Sequence, residues 1–122
     1  MKVIIAGSRD FSNYDMLKNY IDNYRKEVSE IEEIVCGCAR GADTLGKQYA
    51  IENNIKVVEF PAKWDMYGKS AGYIRNEEMS KYADGLIAFW DGKSKGTKNM
   101  IELMAKKNNW DLNTPNIKVC IY

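Results

Sequence analysis

Short apolar runs alternate along the chain with longer segments in which apolar residues recur at helical spacing. The short runs lie at residues 3–6, 34–36, 56–60, 86–90 and 117–121. Strands that are buried on both faces of a sheet read as short apolar runs rather than as an alternation of apolar and polar residues. The pattern therefore predicts five strands of a parallel sheet.

Four helical segments separate these predicted strands. One apolar face marks the first of them, with Met16, Leu17, Tyr20, Ile21 and Tyr24. The second and third cover about residues 43–53 and 72–82, and the fourth carries Thr97, Met100, Ile101, Met104 and Ala105 on one face. The strict alternation of strand and helix predicts an α/β fold, a Rossmann-like three-layer sandwich formed by residues 1–122 as a single domain. We expect a five-stranded parallel sheet in the order 3-2-1-4-5, with helices on both faces.

The loops that lead from strand to helix are rich in glycine. These loops cover residues 7–15, 37–43, 61–72 and 91–96, and in a parallel sheet they all lie at the carboxyl edge, where ligands bind. They contain seven of the nine glycines, namely Gly7, Gly37, Gly41, Gly68, Gly72, Gly92 and Gly96. Glycine permits close approach of the backbone, so this bias indicates an edge that is shaped for a ligand.

Composition narrows the classes of function. The net charge is +1 and the chain has no basic stripe, so nucleic acid is an unlikely partner. Without histidine there can be no Ser-His-Asp or Cys-His pair, and any catalysis must use carboxylates, Lys, Tyr or Arg. The three cysteines suggest neither a disulfide framework nor a metal site. No apolar run is long enough to span a membrane, so we expect a cytoplasmic protein.

Two of the edge loops have the character of anion sites. In residues 36–44, small residues lead directly into a helix, whose amino terminus favours negative charge, and Arg40 could pair with a phosphate. Asp43 is expected to cap that helix, with a ligand contact as the alternative. Residues 91–97 enter the fourth helix in the same manner. Two such loops at one edge could hold a phosphate or a diphosphate between them.

Four stretches resemble the SLOG superfamily, in the order in which that superfamily has them. They are VIIAGSRDF at 3–11, GCARGADTL at 37–45, YIRNEEM at 73–79 and YADGLIAFWDGKSKGTKNMIE at 82–102. The resemblance is closest to its short, single-domain YspA-like group, and the superfamily also includes the LOG phosphoribohydrolases and DNA-processing protein A. It implies a sheet edge that binds nucleotides or nucleotide-derived signals such as relatives of ADP-ribose or NAD. It also implies a homo-oligomer, a dimer or larger, and members of the short group are similar to many phage-encoded proteins.

The chain departs from the superfamily pattern at two points. Gly37 and Cys38 stand where the pattern usually has two glycines. LOG enzymes pair an Arg, matched here by Arg75, with a Glu three residues after a Thr, and that position is Met100. Glu102 could serve only if a shifted helix start turned it toward the site.

We therefore predict a protein that binds a phosphate-containing nucleotide derivative as a sensor or by sequestering it, in the host cytoplasm if the chain is phage-encoded. No cofactor or metal is required. Loop 37–43 and Gly96–Thr97 would hold the phosphate, with Arg75 as charge partner. Of the rim aromatics, Trp64, Tyr67 and Tyr73 are expected to pack in the core or as a lid, whereas Trp90 is equally suited to packing and to stacking on a base. The predicted ligand-binding residues are Gly7, Ser8, Arg9, Gly37, Cys38, Ala39, Arg40, Gly41, Asp43, Arg75, Asn76, Trp90, Gly96 and Thr97.

Two alternatives remain open. The first is a nucleoside-monophosphate phosphoribohydrolase, an N-glycosidic hydrolase that would use Arg75 and Glu102. The second is a module for single-stranded DNA, because residues 36–43 resemble the S-G-x-A-x-G-I-D stretch of DNA-processing protein A. The low net charge argues against DNA, since phosphate-driven affinity needs several cations.

Overall fold

The computed structural model describes residues 1–37, 40–111 and 113–122. Its strands are β1 (Lys2–Gly7), β2 (Glu33–Cys36), β3 (Lys56–Glu59), β4 (Gly85–Trp90) and β5 (Ile117–Ile121). Its helices are α1 (Tyr14–Glu27), α2 (Ala42–Glu52), α3 (Trp64–Tyr67), α4 (Ala71–Tyr82) and α5 (Lys95–Lys107). All five strands that the apolar runs predicted are present.

The strands form one parallel sheet in the order β3-β2-β1-β4-β5, as predicted. Ile4 lies opposite Val35 of β2 and Leu86 of β4, so β1 is at the centre of the sheet. The order reverses between β1 and β4, because the chain moves outward to β3 and then returns to the other side of β1. In folds of this kind, a crevice opens at the carboxyl ends of the two strands that flank the reversal.

Alternate residues of the strands enter two separate cores, one on each face of the sheet. Val3 and Ile5 pack with Leu17 of α1 and Tyr49 of α2, whereas Ile4 packs with residues of α4 and α5, such as Met79 and Met104. Successive side chains of a strand point to opposite faces, so the continuous apolar run of β1 supplies both cores. The three-layer Rossmann-like sandwich is confirmed.

Helix starts follow local hydrogen bonding. The Asn13 side chain caps α1 by accepting from Met16 N–H at 3.0 Å, and Ser94 Oγ caps α5 by accepting from Thr97 N–H at 3.4 Å. The prediction that Asp43 caps α2 is wrong. The cap is Gly41, whose φ of 77° is in the left-handed region that favours glycine, and Asp43 lies in the first helical turn.

The connection between β3 and α4 was predicted as a continuous loop and instead contains α3 and a 3₁₀ turn at Gly68–Ser70. Neither element buries a side chain. Elements this short give no periodic apolar signal, which explains why the sequence pattern missed them. In the part of the chain that the structure describes, no helix combines the length and apolar character that crossing a membrane requires.

Candidate functional site

Two neighbouring cavities open at the carboxyl edge of the sheet. The first has a volume of about 360 Å³, and we call it the α5 chamber. It is lined by Ala6, Gly7, Arg9, Asp43, Trp64, Lys69, Gly72, Tyr73, Arg75, Asn76, Met79, Ser94, Gly96, Thr97 and Met100. The second, of about 330 Å³, is called the arginine chamber and is lined by Arg9, Gly37, Arg40, Pro61, Ala62, Trp64 and Arg75. Arg9, Trp64 and Arg75 line both chambers.

The start of α5 forms one side of the α5 chamber. The hydroxyls of Ser94 and Thr97 lie 3.2 Å apart, and both residues line the cavity together with Gly96. A Cβ added at Gly96 would have no atom within 4 Å, so this position faces open space. The first N–H groups of a helix have no partner within the helix and carry partial positive charge. The chamber therefore meets α5 at the end that attracts anions.

A tight turn before α5 fixes the position of that helix. Asp91 Oδ1 accepts from the N–H groups of Lys93 and Ser94, each at 2.8 Å, and these bonds lower the pKa of the Asp91 carboxyl. Trp90 Nε1 donates to the Ser94 carbonyl at 3.0 Å. Trp90 thus supports the turn, and it is not among the described residues that line either chamber.

Arg75 is held at the point where the two chambers meet. Its Nη1 donates to the carbonyl of Gly37, which follows β2, and to that of Phe60, which follows β3, the latter at 3.5 Å. A side chain at position 37 would collide with this guanidinium. Arg75 is therefore not a solvated arginine on a helix surface, because it joins two strand ends while lining both cavities.

Asn76 links Arg75 to the start of α5. The side chain is 6% exposed, and its Oδ1 accepts from Arg75 Nε at 3.0 Å. Its Nδ2 donates to the Gly96 carbonyl at 3.1 Å and to Asn99 Oδ1 at 3.0 Å. The amide nitrogen thus holds α4 against α5 beside the α5 chamber, while the amide oxygen orients Arg75.

Ser8 and Gly41 support the edge from behind the chamber walls. Ser8 is buried, and its Oγ accepts from Asp91 N–H at 3.2 Å, which joins the loops that follow β1 and β4. A side chain at Gly41 would overlap the Ser8 carbonyl. Gly41 therefore allows two loops to pack together, and neither residue is among the described residues that line a chamber.

The lining of both chambers is cationic. Arg9, Lys69 and Arg75 line the α5 chamber, and Arg9, Arg40 and Arg75 line the arginine chamber. Among the described lining residues the one carboxylate is that of Asp43, which is 7% exposed and accepts from Gly37 N–H at 3.1 Å. Since the whole chain has a net charge of only +1, this positive charge is concentrated at the edge.

Comparison with known proteins identifies the family of the chain. Residues 1–67 match the YspA, cpYpsA-related SLOG family. The chain belongs to this family. It is also similar to the Gene 61 protein of Mycobacterium phage D29, with 32% identity over 108 residues that cover 80% of this chain and 83% of that protein. No solved structure matches the chain.

The register of α5 determines whether Met100 or Glu102 of this SLOG chain faces the chamber. Met100 lies one turn after Thr97, is 1% exposed and lines the α5 chamber. Glu102 is 55% exposed and forms a surface ion pair with Lys98 at 3.8 Å. The shifted helix start that could have brought Glu102 to the site is absent, because α5 begins directly after its Ser94 cap.

The aromatic rim also differs from expectation. Trp64 and Tyr73 line the α5 chamber although they are 53% and 46% exposed, whereas Trp90 is occupied elsewhere. The predicted site residues Cys38 and Ala39 lie outside the described residues. Lys69, Gly72, Met79 and Ser94 also line the α5 chamber, although they are not among the predicted site residues. The sequence signals that could have indicated them were the positions of Lys69 and Gly72 in the 61–72 loop, of Met79 on the third predicted helix, and of Ser94 at the cap of the fourth.

Proposed function

We propose that this chain binds a phosphate-containing nucleotide derivative in the α5 chamber and acts as a sensor or by sequestering it. The observation that carries the proposal is the lining of that chamber. Three cations and the amino terminus of a helix meet there, and the lining carboxylate, Asp43, is turned to backbone N–H. A volume of about 360 Å³ is within the range of small-molecule sites.

Each part of such a ligand has a matching group. A phosphate would lie against Gly96 and Thr97, where the amino-terminal end of the helix dipole favours negative charge. Arg75, Arg9 and Lys69 also line the chamber and could supply charge-assisted hydrogen bonds to the phosphate oxygens. The exposed rings of Trp64 and Tyr73 offer surfaces on which a base can stack, for roughly 1–3 kcal/mol by analogy with stacking in nucleic-acid sites.

Binding without cleavage is the form of this function that the chamber supports best. Cleavage at an anomeric carbon passes through a transition state with positive charge on the sugar, and a nearby carboxylate stabilises it. Met100, at the position of the LOG glutamate, lines the chamber and its thioether has no charge, whereas Glu102 faces solvent. The phosphoribohydrolase alternative therefore lacks Glu102, the carboxylate that would act with Arg75.

The ligand classes that we favour are ADP-ribose, NAD-like molecules and cyclic nucleotide signals. Membership in the SLOG family supports a nucleotide-related ligand. If the chain is phage-encoded like the relative it matches, the sequestered molecule would be a signal of the host cell. A sequestering protein needs high affinity for its ligand and a sufficient copy number, and it does not need catalytic turnover.

A panel of nucleotides tests the proposal. AMP, ADP-ribose, NAD, cyclic ADP-ribose isomers and cyclic nucleotides are added to the purified protein while its thermal unfolding is measured. A true ligand at 100 times its Kd stabilises by about 2.7 kcal/mol, which raises Tm by several degrees in a domain of this size. In parallel, the protein is denatured and the released small molecules are identified by mass spectrometry. A flat panel at millimolar concentration, with no nucleotide released, overturns the proposal.

A further inference from the structure

The arginine chamber gathers three guanidinium groups from three different parts of the chain. Arg9 follows β1, Arg40 follows β2 and Arg75 belongs to α4, and all three line one cavity of about 330 Å³. None of the described residues that line this chamber is acidic. The proposed function places its phosphate at α5, in the other chamber, and so leaves this second concentration of charge unused.

Like charges that share a small cavity repel each other, and the repulsion is relieved when an anion enters. Guanidinium groups suit phosphate in particular, because their planar forks donate two parallel hydrogen bonds to its oxygens. Two of the three, Arg9 and Arg40, are exposed and can reorient toward a ligand. Arg75 is already oriented by the carbonyls of Gly37 and Phe60.

The chambers are neighbours that share the lining residues Arg9, Trp64 and Arg75. A ligand that reached from the start of α5 to Arg40 would meet the cations Arg9 and Arg75 on its way. We propose that the arginine chamber is a second phosphoryl subsite, and that the ligand of this protein carries at least two phosphoryl groups, one in each chamber or bridging them. This inference rests on the proposed function, since it names the class of nucleotide that fills the same site.

The test measures how tightly ligands with different numbers of phosphates bind to the parent, to a variant that loses a cation of the arginine chamber, and to a control variant. AMP is titrated calorimetrically beside ADP, ADP-ribose and adenosine 3′,5′-bisphosphate. The proteins are the parent, Arg40→Gln, and Lys93→Gln as a matched control. Lys93 is exposed on the neighbouring loop of the same edge but lines neither chamber, so its variant reports the general loss of positive charge. Thermal unfolding of each variant verifies that the fold is retained.

We expect at least one of the ligands with two phosphoryl groups to bind roughly ten- to a hundredfold more tightly than AMP, as one added charge-assisted contact allows. Arg40→Gln should reduce the affinity for that ligand about tenfold or more and change the affinity for AMP by less than about twofold. Lys93→Gln should change both affinities by less than about twofold.

Three results overturn the inference while the proposed function stands. They are AMP binding as tightly as every ligand with two phosphoryl groups, an Arg40→Gln variant that loses AMP and the larger ligands equally, and one that loses neither. If no nucleotide binds the parent, the proposed function and this inference both fail. Salt-dependent binding of a labelled oligothymidine that is lost in Arg40→Gln, without any selective small ligand, would assign the chamber to single-stranded nucleic acid instead.

Discussion

Arg75 Nε donates a 3.0 Å hydrogen bond to the side-chain oxygen of Asn76, the next residue along α4. The amide nitrogen of the same Asn76 donates to the carbonyl of Gly96 in the first turn of α5. The guanidinium that lines both chambers is thus tied through one buried amide to the helix start that we propose as the phosphate site.

Replacing Asn76 by Asp should destabilise the fold. The introduced carboxylate can still accept from Arg75, but it would face the Gly96 carbonyl and Asn99 Oδ1 with oxygen instead of a donor. Mispaired buried polar groups cost about 1–3 kcal/mol, so we expect thermal unfolding to begin several degrees lower. Asn99→Asp is the control, because it keeps the acceptor that Asn76 needs. Equal stability of Asn76→Asp and the parent would show that the connection contributes nothing.

The identity of residue 100 should decide whether the base of a nucleoside monophosphate is released. The parent and Glu102→Gln should both release none above background, because Glu102 faces solvent. Met100→Glu should show measurable release, since electrostatic groups of this kind contribute about 3–4 kcal/mol, a factor of hundreds in rate. Chromatography of free adenine and other bases provides the measurement.

Met100→Gln is the matched control for that prediction, because glutamine is polar and has nearly the size of glutamate but carries no charge. It should remain as inactive as the parent. Rapid base release by the parent that disappears in Glu102→Gln would contradict the account and revive the phosphoribohydrolase alternative.

The free energy of unfolding should decline above pH 10. Burial and the neighbouring Glu52 carboxylate raise the pKa of Tyr14 from 10.0 to about 12, and its hydroxyl lies 3.0 Å from both carboxylate oxygens. Because the folded pKa is above the unfolded one, this contribution is complete below pH 10 and is lost as the pH rises toward 12. Denaturant unfolding at a series of pH values should show a shallower decline in Tyr14→Phe. Identical slopes would mean that the Tyr14–Glu52 contact is unimportant.

The sequence predicted the sheet well because burial on two faces produces a signal in every strand. It predicted the site less completely, because the direction of each side chain depends on where a helix begins. Met100 and Glu102 differ by two positions on α5, yet one lines the chamber and the other meets solvent. Similarly, Asp43 could not be assigned until the left-handed Gly41 set the start of α2.

The glycines show the same limit. All those in the edge loops were expected to make room for a ligand, but Gly37 makes room for Arg75 and Gly41 for the Ser8 carbonyl. A glycine in the sequence indicates that another group packs close to the backbone, but only the tertiary structure shows which group that is. Trp90 and Trp64 depart from expectation for a related reason, since the Trp90 indole donates to the Ser94 carbonyl while Trp64 lines the α5 chamber.

Substitution of Gly96 tests most directly whether the α5 chamber is the ligand site. Gly96 lies in the first turn of α5, lines the chamber, and would tolerate a Cβ without a neighbour within 4 Å. Gly96→Leu should therefore fold normally while its side chain enters the space in front of the helix start. Gly96→Ala is the control, and it should stabilise the helix by about 0.5–1 kcal/mol.

The measurement is a calorimetric titration of all three proteins with the nucleotide that stabilises the parent most in the thermal panel. We expect Gly96→Leu to bind at least about tenfold more weakly than the parent, with Gly96→Ala within about threefold, as a blocked phosphate contact requires. If Gly96→Leu retains its fold and binds that nucleotide as tightly as the parent, the ligand does not occupy the α5 chamber and the central claim is wrong.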